Sequence, residues 1–116
     1  MASRSEILKQ LWRENINSYM QERWIDNAVR DSEQHPDAPF ADLGSTLKRL
    51  LETGATRRDL SLVARFSAYE AVFGTLYTLS DPGVDNNDIE MLYESLLSAD
   101  PSGKEGRPGS APTKTK

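Results

Sequence analysis

The sequence predicts an all-α fold: a small bundle of four helices, or five if the first is split, around a central buried third helix. Apolar residues recur at helical spacing in four separate segments, and no alternating apolar and polar run is long enough for a strand. The length of 116 residues suits one domain. We predict that domain over 1–99, followed by a disordered tail over 100–116 that is poor in apolar residues.

The first predicted helix begins after Ser3, which forms a capping-box pattern with Glu6. Its apolar residues then recur at every fourth position: Leu8, Trp12, Ile16, Met20, Trp24 and Ala28. Because four steps turn an α-helix by about 400°, this row drifts about 40° at each repeat. One straight neighbour cannot cover it. We therefore expect either a break, with 15–22 as its favoured position, or two halves that pack on different partners.

A polar loop is predicted over 31–39, because Pro36 and Pro39 oppose helix at the residues before them. The second helix is predicted over 40–53. Gly54 follows at the position where a helix commonly ends with positive φ. The fourth helix is predicted to begin after Asp85 or Asn87. It carries these apolar residues at helical spacing: Ile89, Leu92, Tyr93, Leu96 and Leu97.

The third helix is predicted to begin at Arg57, after a second capping-box pattern at Thr56 and Asp59, and to end before the turn at 80–83. Its core stretch is 60–79. Bulky residues fall on one broad arc: Leu62, Phe66, Tyr69, Val72, Phe73, Leu76, Tyr77 and Leu79. The other side is small: Ala64, Ser67, Ala68, Ala71, Gly74 and Thr75. A surface helix would carry Lys and Glu there, so the pattern predicts a helix contacted on all sides.

Charge and composition exclude several partners. The formal net charge is −6 over 1–99 and +2 over 100–116. A nucleic-acid surface needs clustered Lys and Arg, so the predicted domain has the wrong sign for one. No segment has the roughly 20 apolar residues that span a membrane. The basic residues of the tail are interpreted as solubilising rather than as RNA or membrane contacts: Lys104, Arg107, Lys114 and Lys116.

The absence of cysteine excludes disulfides, thiolate metal sites and Cys nucleophiles. It also fits a reducing compartment. The beginning of the chain has no uninterrupted apolar signal segment, because charged residues break every run. We therefore expect a cytoplasmic location.

Arg65 and Glu70 lie within or beside the apolar arc of the third helix, where a charge is costly unless it is paired. Five residues apart, they point about 140° away from each other. One interpretation is a buried polar site in which Arg65, Tyr69 and Trp12 hold an anionic or aromatic ligand. The favoured alternative is two separate ion pairs that tie the neighbouring helices to the third.

The row on the first helix is the second candidate site. Its large residues could form an aromatic pocket, a core, or the seam of a homodimer: Trp12, Ile16, Tyr19, Met20 and Trp24. A core is the commoner outcome at this spacing. Because four short helices offer limited cover, part of the row is expected to form a homodimer seam.

Metal and catalytic sites are weakly supported. The acidic run over 81–90 fails the EF-hand spacing from either Asp81 or Asp85, so turn and capping chemistry explains it better. His35 is the sole histidine of the chain, and no second His or Cys could share a metal with it. Nothing places an activated Ser beside it. We expect no cofactor, no metal and no enzymatic activity.

Two functions remain open. The first is a small acidic protein that acts by protein–protein interaction, as an adaptor, a regulator or an immunity-type inhibitor. The second is a helical pocket between the first and third helices that binds a small anionic or aromatic ligand. The charge and the scarcity of reactive groups favour the first.

Overall fold

A computed structural model describes residues 3–80 and 95–110. These residues contain four α-helices and no strand, which confirms the all-α class. The helices are α1 (Arg4–Gln10), α2 (Arg23–Gln34), α3 (Asp42–Glu52) and α4 (Arg57–Leu79). One compact unit contains 3–24 and 55–80, and a second contains 25–54 and 95–110. The single domain over 1–99 stays a prediction.

The first predicted helix is split. After α1, the chain forms a π-helical turn (Leu11–Ile16) and a 3₁₀ turn (Asn17–Met20), and Gln21 is then extended with φ −84° and ψ 102°. The break lies within 15–22, as predicted. The i→i+5 bonds of a π-helical turn widen it, so each residue rotates by less than in an α-helix and the drift of the row is reduced. The first members of the row consequently line one cavity: Leu8, Trp12 and Ile16.

Side-chain caps fix where α1 and α4 begin. The caps predicted at Ser3 and at Thr56 are both confirmed. Ser3 Oγ accepts a hydrogen bond from the backbone N–H of Glu6 at 3.1 Å. Thr56 Oγ1 accepts from the Asp59 N–H, while the Asp59 carboxylate accepts from the Thr56 N–H, both at 3.0 Å. This reciprocal box satisfies two amides that the helix leaves unpaired. α4 runs from 57 to 79, as the sequence predicts.

The predicted enclosure of α4 is not confirmed. Of its 23 residues, Ser61 is the buried one. On the small face, Ala68 is half-buried and Ala71 is exposed. A Cβ built at Gly74 meets no other atom of the described chain within 4 Å. The physical reason is geometric: within the first unit, α1 and the turns after it are short and cover one side of the longer α4.

In the second unit, α2 and α3 approach each other closely at Gly44. The Gly44 N–H donates to Ser32 Oγ at 3.1 Å. A Cβ built at Gly44 would lie 2.6 Å from Ser32 Cβ and 3.3 Å from Val29 Cα. Lys48 and Glu33 form an ion pair at 3.3 Å across the same pair of helices. Among the described residues, Gly44 therefore lies at a close helix contact, whereas Gly74 does not.

α3 begins at Asp42 rather than at Phe40, because Phe40 adopts a φ of +61° and cannot open a helix. The Phe40 N–H donates to the carbonyl of Gly106. Asp100 accepts the N–H groups of Gly106 at 2.7 Å and Ser102 at 3.0 Å, and these bonds lower the pKa of its carboxyl. Residues 100–110 thus form hydrogen-bonded turns, and disorder of the whole tail stays a prediction.

The fourth predicted helix falls mostly outside the described residues, and the acidic run over 81–90 falls wholly outside them. Its last two apolar residues, Leu96 and Leu97, are described and are exposed. Among the helices described here, none is both long enough and apolar enough to cross a bilayer.

Candidate functional site

Trp12 lies at the centre of the packing between the π-helical turn and α4. Its ring centroid is 5.7 Å from that of Tyr69, with the planes tilted by 35°. The guanidinium carbon of Arg65 lies 5.9 Å from the centre of the Trp12 ring. Arg65 Nε donates to Asn17 Oδ1 at 2.8 Å. The structure therefore brings together three of the four residues predicted for the polar site.

Glu70, the fourth predicted residue, is exposed and does not join this cluster. Within the described ranges it has no hydrogen-bond or ion-pair partner. The two separate ion pairs expected for Arg65 and Glu70 are not found there either. An aromatic face and a neutral amide hold Arg65 instead, and a stacked cation of this kind contributes about 0.5–1 kcal/mol at a partly exposed site.

A cavity of about 250 Å³ lies beside this cluster in the first unit. Its lining is Trp12, Ile16, Arg65, Phe66 and Tyr69. A cation beside three aromatic rings can bind a small anionic or aromatic group. A second cavity of about 160 Å³ continues along the groove between α1 and α4, and its walls are almost entirely apolar.

The five residues predicted for a homodimer seam on the first helix belong to the first unit and differ in burial. Ile16 is 2% exposed. Tyr19 and Trp24 pack edge to face, with centroids 5.7 Å apart and planes at 76°. The Trp24 indole N–H donates to the Oγ of fully buried Ser61 at 3.1 Å. Tyr19, Met20 and Trp24 are half-buried, and Trp12 is 41% exposed. A homodimer seam through these residues stays a prediction.

A larger apolar surface lies on α4. Seven large apolar side chains are each more than a third exposed and fall within an arc of about 140°. We call this surface the α4 face: Leu62, Val63, Phe66, Tyr69, Phe73, Leu76 and Tyr77. Phe66 is 64% exposed, Phe73 57% and Tyr77 74%. Contiguous exposed apolar surface of this kind marks interaction sites in folded proteins.

The sequence predicts that all residues of the α4 face except Val63 lie in the core, because a wide apolar arc opposite small residues is typical of an enclosed helix. Burial of a helix depends on what packs against it, which its own residues do not determine. One available pattern was the spacing of Leu62, Phe66, Tyr69, Phe73 and Leu76, which alternates steps of four and three. That alternation is typical of a seam between two helices.

The outer side of α1 forms an open hollow with basic walls. Arg4, Lys9 and Arg13 line it together with an edge of Trp12. All three cations are exposed, and Arg13 pairs with Glu14 at 3.4 Å. Exposed ion pairs contribute little to stability, and this arrangement is that of a solvated helix surface.

In the second unit, His35 lines a hollow with Asp31 and Ser32. These three residue types could form a catalytic triad. Ser32 Oγ instead accepts the N–H of Gly44. No hydrogen bond within the described ranges joins the His35 ring to either neighbour, so the geometry is not that of an activated nucleophile.

The lowered pKa of Asp59 also has a structural cause. The hydrogen bond from the Thr56 backbone N–H has the larger effect on this pKa, and the Thr56 hydroxyl has the smaller. Both favour the ionised form of the carboxyl. This carboxyl caps α4 and faces no cavity described above.

The part of the chain that the structure describes therefore contains two candidate sites, which are the α4 face and the cluster of Trp12, Arg65 and Tyr69. Comparison of the chain with protein-family models, with curated proteins and with solved structures finds no match.

Proposed function

We propose that this protein acts by protein–protein interaction through the α4 face, as a small adaptor, regulator or immunity-type inhibitor without enzymatic activity. The observation that carries the proposal is the set of seven exposed apolar side chains on one face of α4. Burial of one large apolar side chain contributes about 1.5–3 kcal/mol. A partner that covers several of them gains enough to offset the cost of association.

The size of the helix fits this role. At about 1.5 Å per residue, α4 is roughly 35 Å long, which provides room for a helix or strand of a partner. Leu8 and Trp12, both exposed, extend the surface beyond α4. This extension matters because a stable protein–protein interface covers about 800 Å² on each partner. The absence of cysteine supports a cytoplasmic setting for the interaction.

Site-specific photocrosslinking tests the proposal. A benzophenone amino acid placed at Phe66 is expected to capture a defined protein in an extract of the source cells. The matched control places it at Ser67, which is the next residue along and lies about 100° away on the helix. A second variant, Phe73→Glu, is expected to abolish capture from position 66, because it places a charge in the middle of the face.

The outcomes separate clearly. Capture at position 66 that requires an apolar Phe73 supports the proposal. Equal capture at 66 and 67, or capture that survives Phe73→Glu, contradicts it, because the adduct would then reflect random collisions.

A second candidate function is the binding of a small anionic or aromatic ligand by Trp12, Arg65 and Tyr69. The cavity of about 250 Å³ beside the three side chains favours it. A thermal-shift screen against aromatic carboxylates and phosphates tests this function. The expected result is a compound that stabilises the wild type but neither Trp12→Ala nor Arg65→Ala, with Phe73→Glu as a control that keeps the response. Equal responses in all four proteins would contradict it.

A further inference from the structure

Between Leu62 and Leu76, the α4 face matches an apolar coiled-coil repeat of two heptads. Leu62, Phe66, Tyr69, Phe73 and Leu76 occupy successive d, a, d, a and d positions of a heptad. All five are between 37% and 64% exposed. α1 and the π-helical turn pack beside these positions and cover part of them: Tyr69, Phe73 and Leu76 line a cavity with Leu8, Leu11 and Trp12. We call these five positions the α4 seam.

The charged residues beside the α4 seam indicate how two copies of α4 would be oriented relative to each other. Arg65 occupies a g position, and Glu70 occupies the e position of the next heptad, five residues later. In two parallel helices in register, a g residue faces the e residue of the following heptad on the other helix. Arg65 of each copy would therefore face Glu70 of the other. The spacing that prevents pairing within one helix is the spacing that two parallel helices require.

The contacts within one chain leave the Arg65 guanidinium and the Glu70 carboxylate able to form ion pairs with another copy. Glu70 is exposed and has no hydrogen-bond or ion-pair partner in the described part of the chain. Arg65 uses its Nε–H on Asn17, and a guanidinium carries four further N–H donors on its terminal nitrogens. Its place over the Trp12 ring holds the group at the edge of the seam.

Antiparallel pairing offers no equivalent arrangement. A register that sets Phe66 opposite Tyr69 places Glu70 beside Val63 of the other copy and Asp59 beside its Leu76. A register that sets Tyr69 opposite Phe73 places Glu70 beside Glu70. In neither register does Glu70 face an arginine of the other copy, so the antiparallel alternatives lack the two ion pairs. Asp59 does not separate the arrangements, because it occupies an a position and faces the Asp59 of the other copy in the parallel pair.

We propose that the occupant of the α4 face is a second copy of this chain, docked with its α4 parallel and in register. Arg65 and Glu70 form two symmetric ion pairs between the copies. The net charge of −6 over 1–99 does not oppose this contact locally, because α4 carries three arginines against Asp59 and Glu70. This inference rests on the proposed function of the α4 face as a protein-binding surface.

Sedimentation equilibrium of the purified full-length chain over roughly 1–500 μM tests the inference. A concentration-dependent dimer is expected for the wild type. Glu70→Arg is expected to weaken it about tenfold or more, because two attractions become two repulsions. The double variant Arg65→Glu with Glu70→Arg restores opposite charges and should return the dissociation constant to within about threefold of the wild type. Ser67→Arg, on an exposed position outside the seam, should change nothing.

The absence of cysteine allows a direct test of orientation. Leu76→Cys places a thiol at a d position, which faces itself only in a parallel, in-register pair. We expect it to form an intermolecular disulfide rapidly under mild oxidation. Thr75→Cys, on the opposite side of α4, should not. Equal oxidation of the two variants, or dimers that ignore the charge exchange, would overturn the parallel arrangement.

The failure of this inference can be told apart from failure of the proposed function. A chain that stays monomeric across the concentration range, while position 66 still captures another protein, overturns the second copy as occupant and leaves the function in place. A monomer that also captures nothing contradicts both. Circular dichroism of each variant verifies that its helix content is retained.

Discussion

In the first unit, the side chain of Trp24 forms a hydrogen bond with the side chain of Ser61, which is fully buried. Ser61 is 0% exposed, and the Trp24 indole N–H donates to its Oγ at 3.1 Å. A buried hydroxyl that loses its partner retains the cost of its desolvation. This bond therefore stabilises the place where the chain leaves the 3₁₀ turn and begins α2.

We expect Trp24→Phe to lower the free energy of unfolding by about 1–3 kcal/mol, because it removes the donor and leaves Ser61 without it. Urea denaturation followed by circular dichroism measures the change. In a double-mutant cycle with Ser61→Ala, the two effects should be coupled by about 1 kcal/mol. Strictly additive effects would show that the hydrogen bond does not contribute.

Asp59 links the stability of α4 to pH. Hydrogen bonds from Thr56 lower the pKa of its carboxyl below the ordinary value of 3.8. The ionised form is therefore favoured in the folded chain, and its contribution is complete above that value. It is lost as the pH falls through the lowered folded pKa. Asp100, whose pKa is lowered by the N–H groups of Gly106 and Ser102, follows the same direction.

We expect the unfolding free energy of the wild type to fall between about pH 5 and pH 3. Asp59→Asn should be less stable at pH 5 and should show a smaller fall, because its side chain no longer titrates. Urea denaturation at each pH measures both. Asp37→Asn in the loop before α3 serves as the control variant. An acid response of Asp59→Asn identical to that of the wild type would contradict the capping account.

At the scale of elements, the predictable features are those formed by neighbours in sequence. Ser3, Thr56 and Asp59 make hydrogen bonds over three residues, so their caps and the bounds of α4 follow from sequence alone. The split near Gln21 was also predictable, because a row at every fourth residue cannot stay on one side of an α-helix. These features need no knowledge of tertiary packing.

Close approach between helices was not predictable in the same way. Gly74 stands among small residues, yet no other described residue approaches it, whereas Gly44 contacts Ser32 of α2. Residue size permits a close contact at both positions. Which glycine makes the close contact depends on which helix packs against it, and that depends on the tertiary packing of the whole chain.

The two glycines give opposite predictions. Gly44→Ala should lower the unfolding free energy by about 1–3 kcal/mol, because its Cβ would overlap Ser32. Gly74→Ala should raise it by about 0.5–1 kcal/mol, because alanine has the higher helix propensity and the added methyl meets open space. Urea denaturation of both variants measures the difference. Changes of the same sign would contradict the packing described for α2, α3 and α4.

At the scale of the whole molecule, the candidate surface was recognised as apolar but assigned to the core. Leu62, Phe66 and Phe73 have a pattern that fits either an enclosed helix or a seam with another chain. Their exposure distinguishes the two. The Trp12, Arg65 and Tyr69 cluster was predicted more completely, because a cation within an apolar arc requires neighbours that satisfy it.

The proposed function and the proposed dimer both require that the α4 face is open in a single chain and covered in an assembly. Hydroxyl-radical footprinting of Phe66, Phe73 and Tyr77 across a dilution series measures this directly, with half-buried Trp24 as the internal reference. We predict strong labelling of the three side chains at the lowest concentration and protection as the chain is concentrated or its partner is added. Weak labelling at every dilution would contradict the account, because it would place the α4 face inside the folded chain.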